Sequence, residues 1–187
     1  VLRMVMTHHT TFFINSLAHI WGSQPFTDRN SARDNGILAF FTFGEGYHNF
    51  HHLFENDYRN GIRWWQFDPT KWLIRTAAWC GLARDLRSCP EERIEQARLE
   101  MQLKRAQARL HKQDDRELWQ ALLQEEYDKL SLQIQHYYAN RKQLLEQRKR
   151  KALARYDRLK LQLEYRNLRD GFLVAKRNWS RLLAGIA

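Results

Sequence analysis

Hydrophobic positions in residues 1–90 predict three helices joined by polar loops. Each predicted helix is largely apolar with embedded polar positions, whereas the stretches between them are rich in Asn, Asp, Ser and Gly, which favour turns. Asp68 followed by Pro69 marks the start of the last helix, because Asp caps helix N-termini well and Pro fits the first helical position. The three predicted helices cover residues 1–21, 37–54 and 70–86.

The second half of the chain, residues 91–187, consists almost entirely of helix-forming residues. It contains no proline, and its apolar residues recur at alternating intervals of four and three, which is the spacing of a coiled-coil seam. One helix alone cannot bury such a stripe, so we expect a helical hairpin or pairing with another chain. With the first half, this pattern predicts an all-α fold. The predicted seam runs through Leu123, Tyr127, Leu130, Ile134, Tyr137 and Leu144, with Arg141 in the intervening place, and resumes after a slip in register at Ala152, Tyr156, Leu159 and Leu163.

Composition also separates the two halves. The net charge of +10 is uneven, since residues 1–90 carry 9 Lys+Arg and 7 Asp+Glu, whereas residues 91–187 carry 22 and 14. All three prolines lie at or before Pro90. We therefore predict a boundary near Cys89-Pro90, with one domain over 1–90 and a basic helical coiled-coil tail over 91–187.

Cysteine content and hydropathy limit the location of the protein. One pair, Cys80 and Cys89, is not a disulfide framework in a chain of this size, which favours a reducing, cytoplasmic environment. The apolar stretch 72–83 is too short to span a hydrocarbon layer of about 30 Å. Its tryptophans and neighbouring basic residues suit an interfacial helix at a membrane surface, and a buried amphipathic helix is the alternative.

The basic run at 148–151 raises the question of nucleic-acid binding. It stands inside a predicted helix with acidic residues before and after it, and no aromatic residues are interleaved with it. We therefore predict no nucleic-acid partner. A solvated coiled-coil face beside an anionic membrane surface agrees better with this pattern.

Histidines form the candidate chemistry of the first half. His48, His51 and His52 fall at i, i+3 and i+4, so on an α-helix they share one face, and three imidazoles there can bind a transition metal. His19 stands four residues after Asn15, which places these two on a common face as well. All-nitrogen ligation suits iron, copper or zinc, and a structural zinc site usually recruits cysteine, which is not found near these histidines. A surface histidine cluster is the alternative interpretation.

Five short motifs occur in order within residues 1–90: NSLAHIWG at 15–22, FGEGYHNFHH at 43–52, DYRNG at 57–61, RW at 63–64 and DPTKW at 68–72. Their order and spacing resemble the C-terminal catalytic part of membrane-bound acyl-CoA desaturases of the stearoyl-CoA type. The related front-end desaturases begin the last histidine box with glutamine, so His48 argues against that subgroup. Residues 91–187 resemble no part of this family and are interpreted as an added tail.

This resemblance implies an O₂-dependent oxidoreductase of unsaturated fatty acid biosynthesis. Two iron ions would activate O₂ to introduce a cis double bond near carbon 9 of a fatty acyl-CoA, with electrons from ferredoxin, or from cytochrome b5 and a reductase. The protein would lie in a membrane, with the iron site and the tail facing the cytoplasm. By the same resemblance, the metal ligands are His19, His48, His51 and His52, and Asn15 contributes through a bound water.

One departure from the family affects the expected activity. The family has two earlier histidine boxes and earlier membrane helices, which these residues do not include, and five ligand positions are too few for two irons. We therefore expect a C-terminal part of a desaturase that is inactive when made alone. One alternative is a non-catalytic desaturase-like protein whose coiled-coil tail mediates assembly, including self-association, or binds a membrane surface. Another is a coiled-coil adaptor with an incidental metal site.

Overall fold

The architecture is all-α, as predicted. The structure, a computed structural model, describes residues 1–110, 116–149 and 155–186, and in these ranges it contains helices and two isolated antiparallel bridges but no extended strand. The chain divides into two compact units, Val1–Met101 and Gln102–Ala187. The helices are α1 (Leu2–Asn15), α2 (Leu17–Ile20), α3 (Gly36–Phe41), α4 (His48–Leu53), α5 (Pro69–Trp79), α6 (Glu91–Arg109), α7 (Arg116–Lys149) and α8 (Arg155–Gly185).

The first predicted helix is divided in two. At Ser16 the backbone leaves regular helical geometry, with φ −115° and ψ −63°, and the Ser16 hydroxyl donates to the carbonyl of Phe12 at 2.6 Å. A hydroxyl bonded to the preceding turn competes with the regular helical hydrogen bonds and bends helices. As a result, His19 lies on a separate short helix, α2.

The prediction of a continuous helix over 37–54 is wrong, because a tight turn separates α3 from α4. In this turn Gly44 has φ +106°, which favours glycine, and a Cβ there would meet the carboxylate of Asp68 at 2.8 Å. At Gly46 a Cβ would overlap the backbone of Ala39. The turn therefore depends on two residues without side chains, and it places the histidines of α4 on a short helix of their own.

The buried carboxylate of Asp68 joins α5 to the preceding loop. Its Oδ1 accepts from the Lys71 backbone N–H at 2.9 Å, which is the predicted N-cap, and Pro69 occupies the first turn. Its Oδ2 accepts from the N–H groups of Asn60 and Gly61, both at 2.9 Å. The helix ends at Trp79 rather than at residue 86.

The outer side of α5 is exposed. Trp79 and Leu73 are 88% and 71% exposed, and Trp72 is also exposed. The interpretation of this segment as a buried helix is therefore wrong for these side chains. No helix in the described ranges is both long enough and apolar enough to cross a membrane.

An aromatic core supports the first unit. The rings of Phe26, Phe50 and Phe54 contact one another with centroids 5.0 to 6.1 Å apart, and Ile94 from α6 packs against them. Phe50 is fully buried and follows His48 by two residues in α4. The core thereby anchors the helix that presents the histidines.

The second unit is built on a helical hairpin, which is one of the two arrangements that the apolar stripe predicted. The ring of Tyr137 on α7 stacks on those of Tyr165 and Phe172 on α8, and the two tyrosine hydroxyls lie 3.1 Å apart. Trp179 is buried, and its Nε1 donates to Gln102 at 2.8 Å. The predicted seam on α7 is confirmed by the burial of Leu123, Leu130 and Ile134.

The predicted seam on α8 is wrong in register. Leu159 and Leu163 are 59% and 56% exposed, while the inward positions are taken by a different heptad stripe. The aromatic residues of α8 take the inward positions because Tyr137 of α7 faces this helix. Tyr165 and Phe172 bury more surface when they stack on the Tyr137 ring than leucine side chains would. Residues 150 and 151 of the basic run and Ala152 of the predicted seam lie outside the described residues, as does the side chain of Tyr156. The inward stripe is Leu161, Tyr165, Leu168, Phe172, Ala175 and Trp179.

Candidate metal centre

Three histidines from two helices converge in the first unit. One ring nitrogen each from His19 on α2 and from His48 and His52 on α4 lies within 4.8 Å of the others. The Nε2 atoms of His48 and His52 are 3.1 Å apart. Two nitrogens bound to one metal at about 2.1 Å lie about 3.0 to 3.4 Å apart in octahedral or tetrahedral geometry, so this pair has the separation of two ligands of a single ion.

The electrostatics of the cluster favour the neutral form of its rings. Burial first, and then the neighbouring imidazoles, lower the pKa of His48 to about 4. Burial and the neighbouring histidines also lower the pKa of His52. Neutral imidazole is the metal-binding form of histidine, so these rings need not lose a proton at pH 7 before they bind a cation.

The residues present fit a transition metal. Three imidazole nitrogens converge without a carboxylate or thiolate among them, and the pKa values of two of the rings are lowered. Together they form a donor set suited to iron, copper or zinc.

Two of the five predicted ligands lie outside the converging group. The His51 ring stacks beside that of His48, with centroids 6.0 Å apart, but its nitrogens do not join the three-atom cluster. Asn15 is exposed near the end of α1, and its Nδ2 lies 3.4 Å from the carbonyl of Thr11 on its own helix. The ligand roles of all five residues stay predictions, and this geometry gives the strongest support to His19, His48 and His52.

Asn49, between the histidines, attaches α4 to the loop that follows α2. Its side chain is fully buried, and its Oδ1 accepts from the N–H groups of Phe26 and Thr27 at 2.9 and 3.2 Å. Its Nδ2 donates to the carbonyls of Thr27 and Ala32 at 2.7 and 2.9 Å. All four hydrogen-bonding positions of the amide are thereby used, which holds α4 in one orientation.

The same loop supplies two further contacts to the site. The carboxylate Oδ1 of Asp34 accepts from the N–H groups of Asn49 and Phe50 at 2.8 and 3.1 Å, at the N-terminus of α4. The hydroxyl of Ser31 lies 2.8 Å from Nδ1 of His19, which leaves Nε2 as the remaining nitrogen of that ring. The loop over 23–35 therefore orients both helices that carry the histidines.

Sequence reasoning did not identify Ser31, Asp34 or Asn49. Asn49 lies between His48 and Phe50 in the histidine motif, and this position was the signal that could have pointed to it. Ser31 and Asp34 act on partners 12 to 16 residues away across a loop. No periodicity or spacing signals such contacts, so nothing in the sequence alone indicated them.

The burial of Asp34 predicts a pH dependence of local stability. Desolvation raises its pKa from 3.8 to about 6, although two backbone N–H donors and Arg98 act in the opposite direction. The folded state then binds the proton more tightly than the unfolded chain, so this group's stabilising contribution is complete below pH 3.8 and is lost as the pH rises through 6. The upper limit of the change is about 3 kcal/mol.

Amide hydrogen exchange at Asn49 and Phe50, corrected for intrinsic rates, measures this effect. The lowered pKa of His48 in the same helix acts in the opposite direction over this range, so the Asp34 effect is read from a comparison with Asp34→Asn, which keeps the Oδ1 acceptor and the histidine but cannot titrate. On going from pH 7 to pH 4.5, we expect the opening free energy of the parent chain to rise relative to that of the variant. An equal pH dependence in the variant and the parent chain would assign the effect to another group.

The fold and the site together define a class: an α-helical protein in which histidines from two short helices converge on a candidate metal position. Residues 1–79 match the family model of fatty acid desaturases. This part of the chain is similar to the fatty acid desaturases, in agreement with the resemblance of its motifs.

Individual relatives agree with this assignment. The chain is 56% identical over 95 residues to a probable acyl-CoA desaturase of Schizosaccharomyces pombe, covering 51% of this chain and 20% of that protein. It is 51% identical over 104 residues to acyl-CoA desaturase 1 of Saccharomyces cerevisiae, covering 56% and 20%. It is 42% identical over 86 residues to delta-9 acyl-lipid desaturase 1 of Arabidopsis thaliana, covering 46% and 28%. The chain thus spans about a fifth of the length of the two yeast relatives.

Proposed function

We propose that this chain contributes part of the active site of an acyl-CoA desaturase, an O₂-dependent enzyme that introduces a cis double bond at the delta-9 position of a fatty acyl chain. The observation that carries the proposal is the convergence of His19, His48 and His52 inside the segment that matches the desaturase family. A relative named as a delta-9 desaturase supports the position of the double bond.

The proposed ligands of a di-iron centre are His19, His48, His51 and His52, with Asn15 acting through a bound water. When bound, the irons would supply the activation of O₂ needed to oxidise an unactivated C–H bond. The protein's own contribution is positional: Ser31 holds the His19 ring, Asn49 and Asp34 hold α4, and the depressed pKa keeps His48 neutral. The His51 ring lies beside the converging nitrogens, with its centroid 6.0 Å from that of His48.

The converging nitrogens are too few for two irons, so ligands from outside this sequence would complete the centre. We further propose that fatty acyl-CoA is the substrate, that ferredoxin or cytochrome b5 with a reductase supplies electrons, and that the iron site faces the cytoplasm at a membrane. The exposed tryptophans of α5 support a membrane location, because Trp is favoured at the boundary between lipid and water.

A chimera tests the catalytic proposal. The segment of Saccharomyces cerevisiae acyl-CoA desaturase 1 that aligns with this chain over 104 residues is replaced by the corresponding residues of this chain. It is expressed in a yeast host without its own desaturase, and double-bond positions in its fatty acids are determined by mass spectrometry. We expect delta-9 unsaturated products, with the unmodified yeast enzyme as positive control and the 187-residue chain alone giving none.

The outcomes separate the parts of the proposal. A chimera that accumulates in membranes at the control level but forms no double bond contradicts the catalytic role and favours a non-catalytic desaturase-like protein. A double bond at another carbon contradicts only the delta-9 assignment. A chimera carrying His9→Gln, a change at an exposed histidine outside the proposed ligand set, should remain active.

A further inference from the structure

The second unit carries all of the net charge of the protein. Within Val1–Met101 there are 11 Lys+Arg and 11 Asp+Glu, whereas within Gln102–Ala187 there are 20 and 10. The proposed catalytic segment is therefore neutral overall, and the net charge of +10 belongs to the helical tail. A charge of this size predicts an anionic partner for the second unit.

Helix α8 has a second apolar stripe besides the one buried in the hairpin. Leu159, Leu163, Leu173 and Val174 are between 46% and 59% exposed. At 100° per residue they share one side of the helix with three exposed arginines. We call this surface the α8 outer face, and it consists of Leu159, Leu163, Arg166, Asp170, Leu173, Val174, Arg177 and Arg181, so that three arginines outweigh one acidic residue.

The outer face is poorly suited to another helix. Read at heptad spacing, the successive positions 159, 163, 166, 170, 173 and 177 are Leu, Leu, Arg, Asp, Leu and Arg. Burial in a helix–helix seam would remove the central charges from water, and a buried charge is costly unless it is fully paired. Asp170 already pairs with Arg169 at 3.1 Å, which leaves Arg166 and Arg177 without an acid at a seam position of the same face.

The outer face is equally unsuited to nucleic acid. Groups that bind single strands combine basic residues with aromatic rings on which bases stack, and none of the named residues of this face, from Leu159 to Arg181, is aromatic. The face also carries four exposed aliphatic side chains, which contacts with phosphate alone would not use. The combination of aliphatic residues with arginines matches a different surface, the boundary between lipid tails and headgroups.

We propose that the α8 outer face docks on a membrane surface rich in anionic lipids, with its leucines below the headgroups and Arg166, Arg177 and Arg181 on lipid phosphates. Arginine suits this position because its aliphatic stem can lie along the apolar layer while the guanidinium reaches the headgroups. The proposal depends on the second unit alone, and it holds whether or not the first unit takes part in desaturation.

Vesicle partitioning of the full chain provides the test. The probes are vesicles of phosphatidylcholine and vesicles of phosphatidylcholine with phosphatidylserine. The first unit is neutral, so any attachment through its exposed aromatic residues should be the same on both, and the difference reports the tail. We expect at least about tenfold stronger partitioning on the anionic vesicles, decreasing with added salt.

Two matched double variants show whether lipid binding depends on the outer face or on net charge alone. Arg166→Glu with Arg177→Glu reverses charges on the outer face, whereas Lys142→Glu with Lys160→Glu makes the same change in net charge at exposed positions outside it. We expect the first pair to weaken partitioning on anionic vesicles by at least about tenfold and the second by less than about threefold. Equal losses in both would show undirected charge attraction and overturn the proposal.

A third variant tests the leucines at constant charge. Leu163→Gln with Leu173→Gln should weaken partitioning several-fold while the helical circular dichroism stays unchanged, because both residues are exposed. No weakening would leave a purely electrostatic surface, open to RNA or any polyanion, and would overturn docking on lipid. Sedimentation without lipid adds a further check: a dimer that this variant converts to a monomer would identify the face as a self-association surface instead.

Discussion

Replacing His48 with glutamine should abolish metal binding by this protein. His48 is the buried member of the cluster, its ring contacts those of His19, His51 and His52, and its Nε2 lies 3.1 Å from that of His52. Loss of a residue that hydrogen-bonds to a metal ligand typically lowers metal affinity 10- to 100-fold, so loss of a ligand itself should lower it at least about 100-fold. Titration of the full chain with Co²⁺, followed by its visible absorption, measures this without reference to activity.

The matched control is His136→Gln. His136 is an exposed histidine on α7, in the second unit, and its replacement should leave the Co²⁺ titration unchanged. In the yeast chimera, His48→Gln should also remove delta-9 products below detection. If His48→Gln bound Co²⁺ as tightly as the parent chain, the convergence of the three rings would be a packing arrangement and not a metal site.

Replacing Asn49 with alanine should destabilise the first unit by about 3 to 5 kcal/mol. Four hydrogen bonds would be lost from a fully buried amide, leaving the N–H groups of Phe26 and Thr27 and the carbonyls of Thr27 and Ala32 without partners. Each net hydrogen bond contributes about 0.5 to 1.5 kcal/mol, and each buried group left unpaired adds to the cost. The loss should loosen α4 and with it the histidines.

Hydrogen exchange detected by mass spectrometry measures this loss within one sample. Exchange in α4 and α5 should accelerate in Asn49→Ala, while exchange in α7 and α8 stays unchanged and serves as an internal reference. Asn56→Ala, at an exposed asparagine just after α4, is the matched control and should have little effect. Unchanged protection of α4 in Asn49→Ala would show that the phenylalanine core alone holds this helix.

The helices could be predicted from sequence wherever a local signal decided them. Asp68 and Pro69 correctly marked the start of α5, because capping depends on neighbouring residues only. The continuous helix over 37–54 failed for a tertiary reason: the turn at Gly44 and Gly46 lets the backbone approach Asp68 and Ala39 closely. Periodicity cannot reveal a close approach to a residue that lies more than twenty positions along the chain.

The helical second unit shows the same division. The seam of α7 could be predicted from the sequence because one stripe of this helix is clearly apolar. The burial of Leu123, Leu130 and Ile134 agrees with that prediction. On α8 two apolar stripes compete, and the sequence offered no rule for choosing between them. The contact of Tyr137 with Tyr165 and Phe172 decided the choice, and the rejected stripe became the exposed outer face.

By itself the sequence determined the all-α class, the similarity of the first 79 residues to fatty acid desaturases, the division of charge along the chain and the identity of the histidines. Those properties depend on residue type and on short spacings, which a single chain displays directly. Only the tertiary structure decided which histidines meet, and it brought together His19, His48 and His52 while leaving His51 and Asn15 aside. It did so because Ser31, Asp34 and Asn49 form hydrogen bonds across a loop, and such bonds exist only once the chain has folded.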